Sequence, residues 1–333
     1  MRWRRIAIPA LVVVVVLAGS ELAVRAVASK LEAPLLWLNR EAQNKASAMD
    51  ALHAKGGASV VFVGSSMTNA AADPRLLTQL LHLKRPAFNA AIDGTDLTAL
   101  EFWTLHVVVP RLRPRVVVIG LSSREFNGAG LNQRGFARKF FASQAVRRLD
   151  GRLSTLGRID AWLSDHSDLI RYRKVLRLPA TAHKVAHPSD VNAYGVTNSL
   201  GPFQRRPYGF GEAFRLRITE SVLNDYRISR VEIAALDRLV RALDGMKIGV
   251  ALVEMPLTRD VIPMHTHGER DYAAFKRALA AFEASHHVVA VDMRTPFPET
   301  SEFVDPLHLD ARGARRFTSM LASILKKDFI PAA

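Results

Sequence analysis

Residues 58–71 read ASVVFVGSSMTNAA. Val60 to Val63 form a short apolar run rich in β-branched side chains, the mark of a strand buried on both faces. Gly64 permits a tight turn where the run stops. Ser65 and Ser66 follow at its carboxyl end. Open α/β sheets bind ligands at those strand ends. A serine that starts a helix there keeps its backbone N–H free, and that N–H and the helix dipole both favour an oxyanion. Taken alone, Gly-Ser-Ser reads first as a helix-capping turn. It is not a G-x-S-x-G nucleophile elbow, because Thr68 stands where the second glycine belongs.

The same strand signature recurs on either side. It returns in RPRVVVIGL (113–121), KIGVALVEMP (247–256) and VVAVDM (288–293), and more briefly in AFNAAID (87–93). Helical patterns fall between these runs, over residues 74–83 and 97–109. A further helical face carries Val231, Ile233, Leu236, Leu239, Val240 and Leu243, and another Phe275, Leu279 and Phe282. Asp310 is placed to cap a last helix bearing Ala314, Phe317, Leu321 and Ile324. Strands alternating with helices predict a three-layer α/β/α domain with a central, mostly parallel sheet over residues 58–330. The rhythm breaks after Ser122. Residues 124–215 are basic and lack clear strands, and YGVTNSLGPFQRRPYGFG (194–211) is a loop by composition. We read 124–215 as an insertion or cap.

Upstream, residues 30–57 have the pattern of a helical stalk closed by Gly56 and Gly57. The start of the chain is different in kind. Arg2, Arg4 and Arg5 precede a nearly uncharged run from Ile6 to Ser20, which reaches bilayer length if Leu22 to Val24 are added and Glu21 is tolerated. Arginines ahead of the span favour a cytoplasmic N-terminus. Residues 1–29 are therefore expected to be a single-pass membrane anchor with the remainder extracytoplasmic. A cleavable signal ending near Ala26-Val27-Ala28 is the rival.

The 333 residues are 49% hydrophobic, enough for a sizeable core, and contain no cysteine. Disulfides, thiol catalysis and cysteine-ligated metals are thereby excluded. The net charge is +15. Eleven Lys or Arg and four acids lie between Arg134 and Arg177, a local charge of +7. Such a face suits nucleic acid, anionic lipid or an anionic glycan, or is simply solvated. The export signal argues against nucleic acid.

Near the other end, residues 304–313 read VDPLHLDARG. Asp305 and His308 stand just before the last helix. A serine after the first strand, followed far downstream by Asp-x-x-His before the last helix, resembles the SGNH (GDSL-type) hydrolase superfamily. Gly64-Ser65-Ser66 occupies the place of that family's Gly-Asp-Ser, with Ser66 in the nucleophile's position. Asp305 and His308 match its Asp-x-x-His, with Leu309 and Gly313 following. FNAAIDGTD offers Asn89 and Gly94 for the second block. The third block, Gly-x-Asn-Asp, is unmatched in VVVIGLSSREFN, where Ser122, Ser123, Arg124 or Asn127 would have to replace its asparagine. The anchor, the missing Asn-Asp and the insertion are most similar to the membrane-anchored branch linked to O-acylation of cell-envelope polymers.

The resemblance implies an acyl-serine mechanism without metal or cofactor. His308 would take the proton of Ser66, Asp305 would orient His308, and the N–H groups of Ser66 and Gly94 would face the oxyanion. Each such donor is worth about 3 kcal/mol, so a missing third donor slows the reaction without abolishing it. Water would resolve the acyl-serine to an acid and a sugar hydroxyl would resolve it to a new ester. Expected partners are an acyl ester of an envelope glycan or lipid, the membrane, and a membrane acyl-donor protein. The alternative is a non-catalytic envelope assembly or binding protein on the same scaffold. Other candidates are weaker. His265 and His267 have the spacing of a strand-borne metal pair but no evident further ligands. His286 and His287 fit a helix C-terminus. Glu254 ends a strand near the expected site.

Overall fold

The computed structural model describes residues 2–31, 34–177, 191–197, 211–286, 288, 290–298 and 300–329, the side chains of 2–8, 10 and 131–133 excepted. It divides into two compact units, residues 1–39 with 143–189, and residues 40–142 with 190–333.

The larger unit is built on five strands among the described residues: β1 (Val60–Val63), β2 (Ala87–Asn89), β3 (Val116–Leu121), β4 (Gly249–Glu254) and β5 (Ala290–Asp292). They pair in the order β2-β1-β3-β4-β5, every neighbour parallel. Val60 faces Ala87 on one side and Val116 on the other, and Val116 faces Gly249. All of β1 is buried, as its unbroken apolar sequence requires. The strand order reverses between β1 and β3, so the crevice at their carboxyl ends is the topological switch point of the sheet.

In chain order the helices are α1 (Arg2–Val27), α2 (Arg40–His53), α3 (Ser66–Ala71), α4 (Pro74–Leu80), α5 (Leu97–Trp103), α6 (Val109–Leu112), α7 (Leu131–Ala142), α8 (Gln144–Leu149), α9 (Thr155–His166), α10 (Asp168–Leu176), α11 (Glu212–Ser221), α12 (Arg230–Gly245), α13 (Glu269–His286) and α14 (Ala311–Asp328). Right-handed crossovers put α4 on one face of the sheet and α5, α12 and α13 on the other. The packing agrees, with α14 against α3 and α4 and α12 against α5. The result is the three-layer α/β/α architecture expected from the sequence. Asp310 caps α14 by accepting from the N–H groups of Arg312 and Gly313, both at 2.8 Å. A two-stranded antiparallel pair, β6 (Phe303–Asp305) with β7 (His308–Leu309), precedes α14 and was not anticipated.

Two boundaries differ from expectation. The stalk over 30–57 is not free-standing. Its helical part, α2, packs on α6 and buries Ala42, Lys45, Ala46 and Met49 within the larger unit. The segment 124–215 is not one insertion, since α7 and residues 190–197 belong to the larger unit and 143–189 to the smaller. Residues 198–210 of the expected loop, and His287, lie outside the described residues.

In the smaller unit, the helical stretch Leu11–Lys30, which runs from α1 into the 3₁₀ turn Ala28–Lys30, is long and apolar enough to cross a membrane. Its side chains from Leu11 to Leu17 are exposed.

Candidate active site

Ser66 is the first residue of α3, one residue past the turn that ends β1. That turn depends on Gly64, whose φ is +150° and whose missing Cβ would stand 2.3 Å from Thr68 Oγ1 and 3.1 Å from the Gly120 carbonyl. Thr68, which breaks the elbow motif, thus fills the space that the two glycines leave. Its hydroxyl is buried without a hydrogen-bond partner among the described residues.

The β6–β7 pair carries the opposite wall. Asp305 ends β6 and His308 begins β7, so the tight connection Pro306–Leu307 turns both side chains to one place. Asp305 Oδ1 accepts from the backbone N–H groups of Leu307 (2.8 Å) and His308 (3.0 Å). His308 Nδ1 lies 2.9 Å from Asp305 Oδ1 and 2.8 Å from Oδ2. His308 Nε2 lies 2.8 Å from Ser66 Oγ. With Nδ1–H donating to the carboxylate, Nε2 is left to accept the Ser66 hydroxyl proton. Asp305 is fully buried, and Ser66 and His308 open onto a cleft of about 470 Å³ lined also by Asp93, Ala213, Phe214 and Arg217. Residues 242 apart in sequence are thereby brought into hydrogen-bond contact.

The remaining residues singled out from the sequence are placed differently. Gly94 adopts φ +80° in the loop after β2 and faces Phe136, while its neighbour Asp93 is the residue that lines the cleft. Asn89 is buried and holds the same loop, its Oδ1 accepting from Ala91 N–H at 3.1 Å. Ser122, Ser123, Arg124 and Asn127 are not among the residues lining the cleft. Ser122 caps a short 3₁₀ turn and donates its hydroxyl to Glu125 Oε2 at 2.6 Å. Ser123 Oγ meets His265 Nε2 at 2.9 Å. Arg124 is buried against Glu125 Oε1 at 2.7 Å. The Asn127 amide donates to the Val222 carbonyl at 2.8 Å and its oxygen accepts from Ala129 N–H at 3.0 Å. Ser122 and Arg124 are thus engaged within the loop after β3, Ser123 with His265, and Asn127 with residues 222–227.

His265 and His267 do not converge. Both ring nitrogens of His265 are engaged, with Ser123 and with the Val261 and Ile262 carbonyls, while His267 pairs with Asp271. His286 lies 2.9 Å from the Phe282 carbonyl and 2.5 Å from Asp237. Glu254 faces a second cleft, where it accepts from Tyr272 OH at 2.6 Å and pairs with Lys276.

A buried polar network behind the cleft had no evident sequence signal. Asn69, on α3, accepts from Lys45 Nζ and donates its amide to Asp93 Oδ1 and Glu41 Oε1, all at 3.0 Å. Lys45 also donates to the carbonyls of Asn89 and Ala91, and Thr197 joins Glu41 at 3.1 Å. Burial pushes the Asp93 carboxyl above its usual range, against the Asn69 amide and the Lys45, His308 and Arg124 charges. Burial and the Asp93 charge push Glu41 up to about 7. Burial pulls the Lys45 ammonium down, opposed by both carboxylates. The network fixes α3, and with it the position of Ser66.

The chain is similar to solved acyl-ester hydrolases. A protein assigned to the lipolytic G-D-S-L family of Desulfitobacterium hafniense is 10% identical, with 81% of this chain and 100% of that chain covered at TM-score 0.40. An M. smegmatis aryl esterase is 11% identical, with 81% and 99% covered at TM-score 0.41. A Geobacillus acetyl-xylooligosaccharide esterase is 13% identical, with 84% and 100% covered at TM-score 0.41. No family model matches the chain, and no curated protein is similar to it at a significant level.

Proposed function

We propose that the protein is a membrane-anchored serine esterase or O-acyltransferase of the SGNH hydrolase type, working outside the cytoplasm on acyl esters of envelope glycan or lipid. The observation that carries it is the continuous relay Ser66 Oγ–His308 Nε2 and His308 Nδ1–Asp305 Oδ2, each step 2.8 Å, opening onto a cleft at the switch point of the sheet. A structural His–Asp pair has no need of a serine on its second nitrogen.

In this reading His308 takes the Ser66 proton as Oγ attacks the ester carbonyl, and Asp305 holds the tautomer and offsets the imidazolium charge. The Ser66 N–H, without an intrahelical acceptor in the first turn of α3, supplies one oxyanion donor. Gly94 N–H is the proposed second. His308 then protonates the leaving alcohol, and water or an acceptor hydroxyl, activated by the same imidazole, releases Ser66. Among the described residues the cleft wall carries Phe214 and Arg217, with the guanidinium 5.1 Å over the ring. An acceptor carrying carboxylate or phosphate beside a sugar face suits them. A membrane protein supplying the acyl group would be the partner of the transferase form.

The absence of an asparagine in the third block favours a second reading, a non-catalytic envelope binding protein on the same scaffold. The two separate on purified protein incubated with aryl acetates, with and without acetylated and deacetylated envelope polysaccharide. Serine-dependent release of acetate, or its transfer to the polymer, supports the enzyme. No turnover by the wild-type chain, with polymer binding retained, supports the binding protein.

A further inference from the structure

In the smaller unit the apolar run of α1 ends against α10. Glu21, the one acid in the span, accepts from Ser167 Oγ at 2.7 Å and from the first-turn N–H groups of Asp168 (2.9 Å) and Leu169 (3.0 Å). Arg25 adds an ion pair to Asp168 at 3.6 Å. Glu21 therefore caps α10, which explains why a carboxylate interrupts the span. It lies four residues past Leu17, about 6 Å along the helix, so α10 starts about one turn beyond the uninterrupted run Leu11–Leu17, with Leu22 exposed on its far side.

Helix α9 runs directly into that junction and is inside out. Its polar side turns to α10, with Asp160 bonded to Arg173 at 2.7 and 2.8 Å and Ser164 to the same arginine at 3.1 Å. Its apolar side is bare, with Leu156 79% exposed, Ile159 50% and Trp162 59%. A surface helix of a water-soluble fold has the opposite arrangement. Residues 143–177 carry eight Arg or Lys and four acids, a net +4. Each acid is matched by an arginine, in the pairs Arg148–Asp165, Arg152–Asp150, Arg171–Asp168 and Arg173–Asp160. Arg147, Arg158, Lys174 and Arg177 have no carboxylate partner among the described residues.

We propose that α9 lies on the bilayer surface at the foot of the anchor. Leu156, Ile159 and Trp162 enter the boundary between headgroups and acyl chains, and the unpaired cations meet anionic headgroups. Exposed apolar stripes flanked by cations, with a tryptophan, bind this interface, sinking about 5–10 Å into it. The occupant is lipid rather than a second copy because the stripe adjoins the end of the span and carries uncompensated positive charge. The proposal rests on α1 spanning the membrane.

The chain has no cysteine, so single labels are clean. The full-length protein is prepared as Val14→Cys, Ile159→Cys and Lys326→Cys, each carrying a nitroxide, in nanodiscs containing phosphatidylglycerol. Accessibility to oxygen relative to a water-soluble nickel complex is then read. The ratio at 159 is expected to be several-fold above that at 326 and to approach that at 14. It should fall at 159, and not at 14, when phosphatidylcholine replaces phosphatidylglycerol. A water-like ratio at 159 with a lipid-like ratio at 14 overturns the proposal and leaves the anchor standing. Spin–spin broadening at 159 overturns it in favour of a second copy. A water-like ratio at both positions removes the anchor itself. An unchanged ratio at 159 in phosphatidylcholine overturns the role given to the cations.

Discussion

Replacing Asp305 by Asn tests the relay at its most constrained point. Oδ1 of Asp305 is held by the N–H groups of Leu307 and His308, so it can only be an acceptor. In Asp305→Asn the amide oxygen must keep that position. The amide nitrogen then takes the place of Oδ2, 2.8 Å from His308 Nδ1. An N–H donor there competes with Oδ1, 2.9 Å from the same ring nitrogen, and where it wins Nδ1 accepts and the ring proton moves to Nε2. Nε2 then points a proton at Ser66 Oγ and cannot take one. A triad histidine held in the wrong tautomer loses roughly 10⁴ in kcat, about 5 kcal/mol of transition-state stabilisation. The two backbone bonds survive, so the melting temperature should stay within a few degrees of wild type. The assay is steady-state hydrolysis of an aryl acetate by purified wild type and variant, with melting curves beside it. A variant within tenfold of wild type would refute the tautomer argument, and a large drop in melting temperature would show that the loss of rate came from unfolding.

Thr68→Val removes a buried hydroxyl that has no partner among the described residues, and should raise stability by about 1 kcal/mol in urea unfolding. Gly64→Ala sets a Cβ 2.3 Å from Thr68 Oγ1 at φ +150°, and should cost about 2–4 kcal/mol together with most of the esterase rate. Glu41 is neutral at low pH in both folded and unfolded chains, but once buried it resists ionisation up to about 7. Its contribution to stability is therefore full below its unfolded value of 4.5 and is lost as pH rises through about 7. Glu232, also pushed up to about 7 by burial, acts in the same direction. Urea midpoints of the wild type should fall between pH 5 and 8, and Glu41→Gln should flatten that slope.

The strands were legible because a parallel sheet covered on both faces demands unbroken β-branched runs, and Val60–Val63 and Val116–Leu121 have them. The two halves of the relay were legible because each is a local turn, Gly64-Ser65-Ser66 and Asp305-Pro306-Leu307-His308. The rest of the site was hidden for physical reasons. Lys45 reads as a solvated helix residue, yet it is fully buried because Asn69, Glu41 and the carbonyls of Asn89, which ends β2, and Ala91 surround it. Its partners come from three separate segments, and no spacing reports that. Helix α2 reads as a stalk for the same reason, since Met49 is the one large apolar residue on an inner face otherwise made of Ala42, Lys45 and Ala46. Asp93 stood beside the glycine chosen from the FNAAIDGTD phrase, and only the fold could say which of the two lines the cleft. Phe214 lies in the segment read as an insertion and Arg217 two residues past its end, where no periodicity pointed inward.

The central claim is that Ser66 is a nucleophile activated by His308. Labelling by a fluorophosphonate, followed by peptide mass spectrometry, tests it without knowledge of the substrate. One phosphonylated site is expected, Ser66, in the tryptic peptide Gly56–Arg75, abolished in Ser66→Ala and His308→Ala chains that melt like wild type. A folded wild-type chain that takes no label, or a Ser66→Ala chain labelled as fast as wild type, would contradict it.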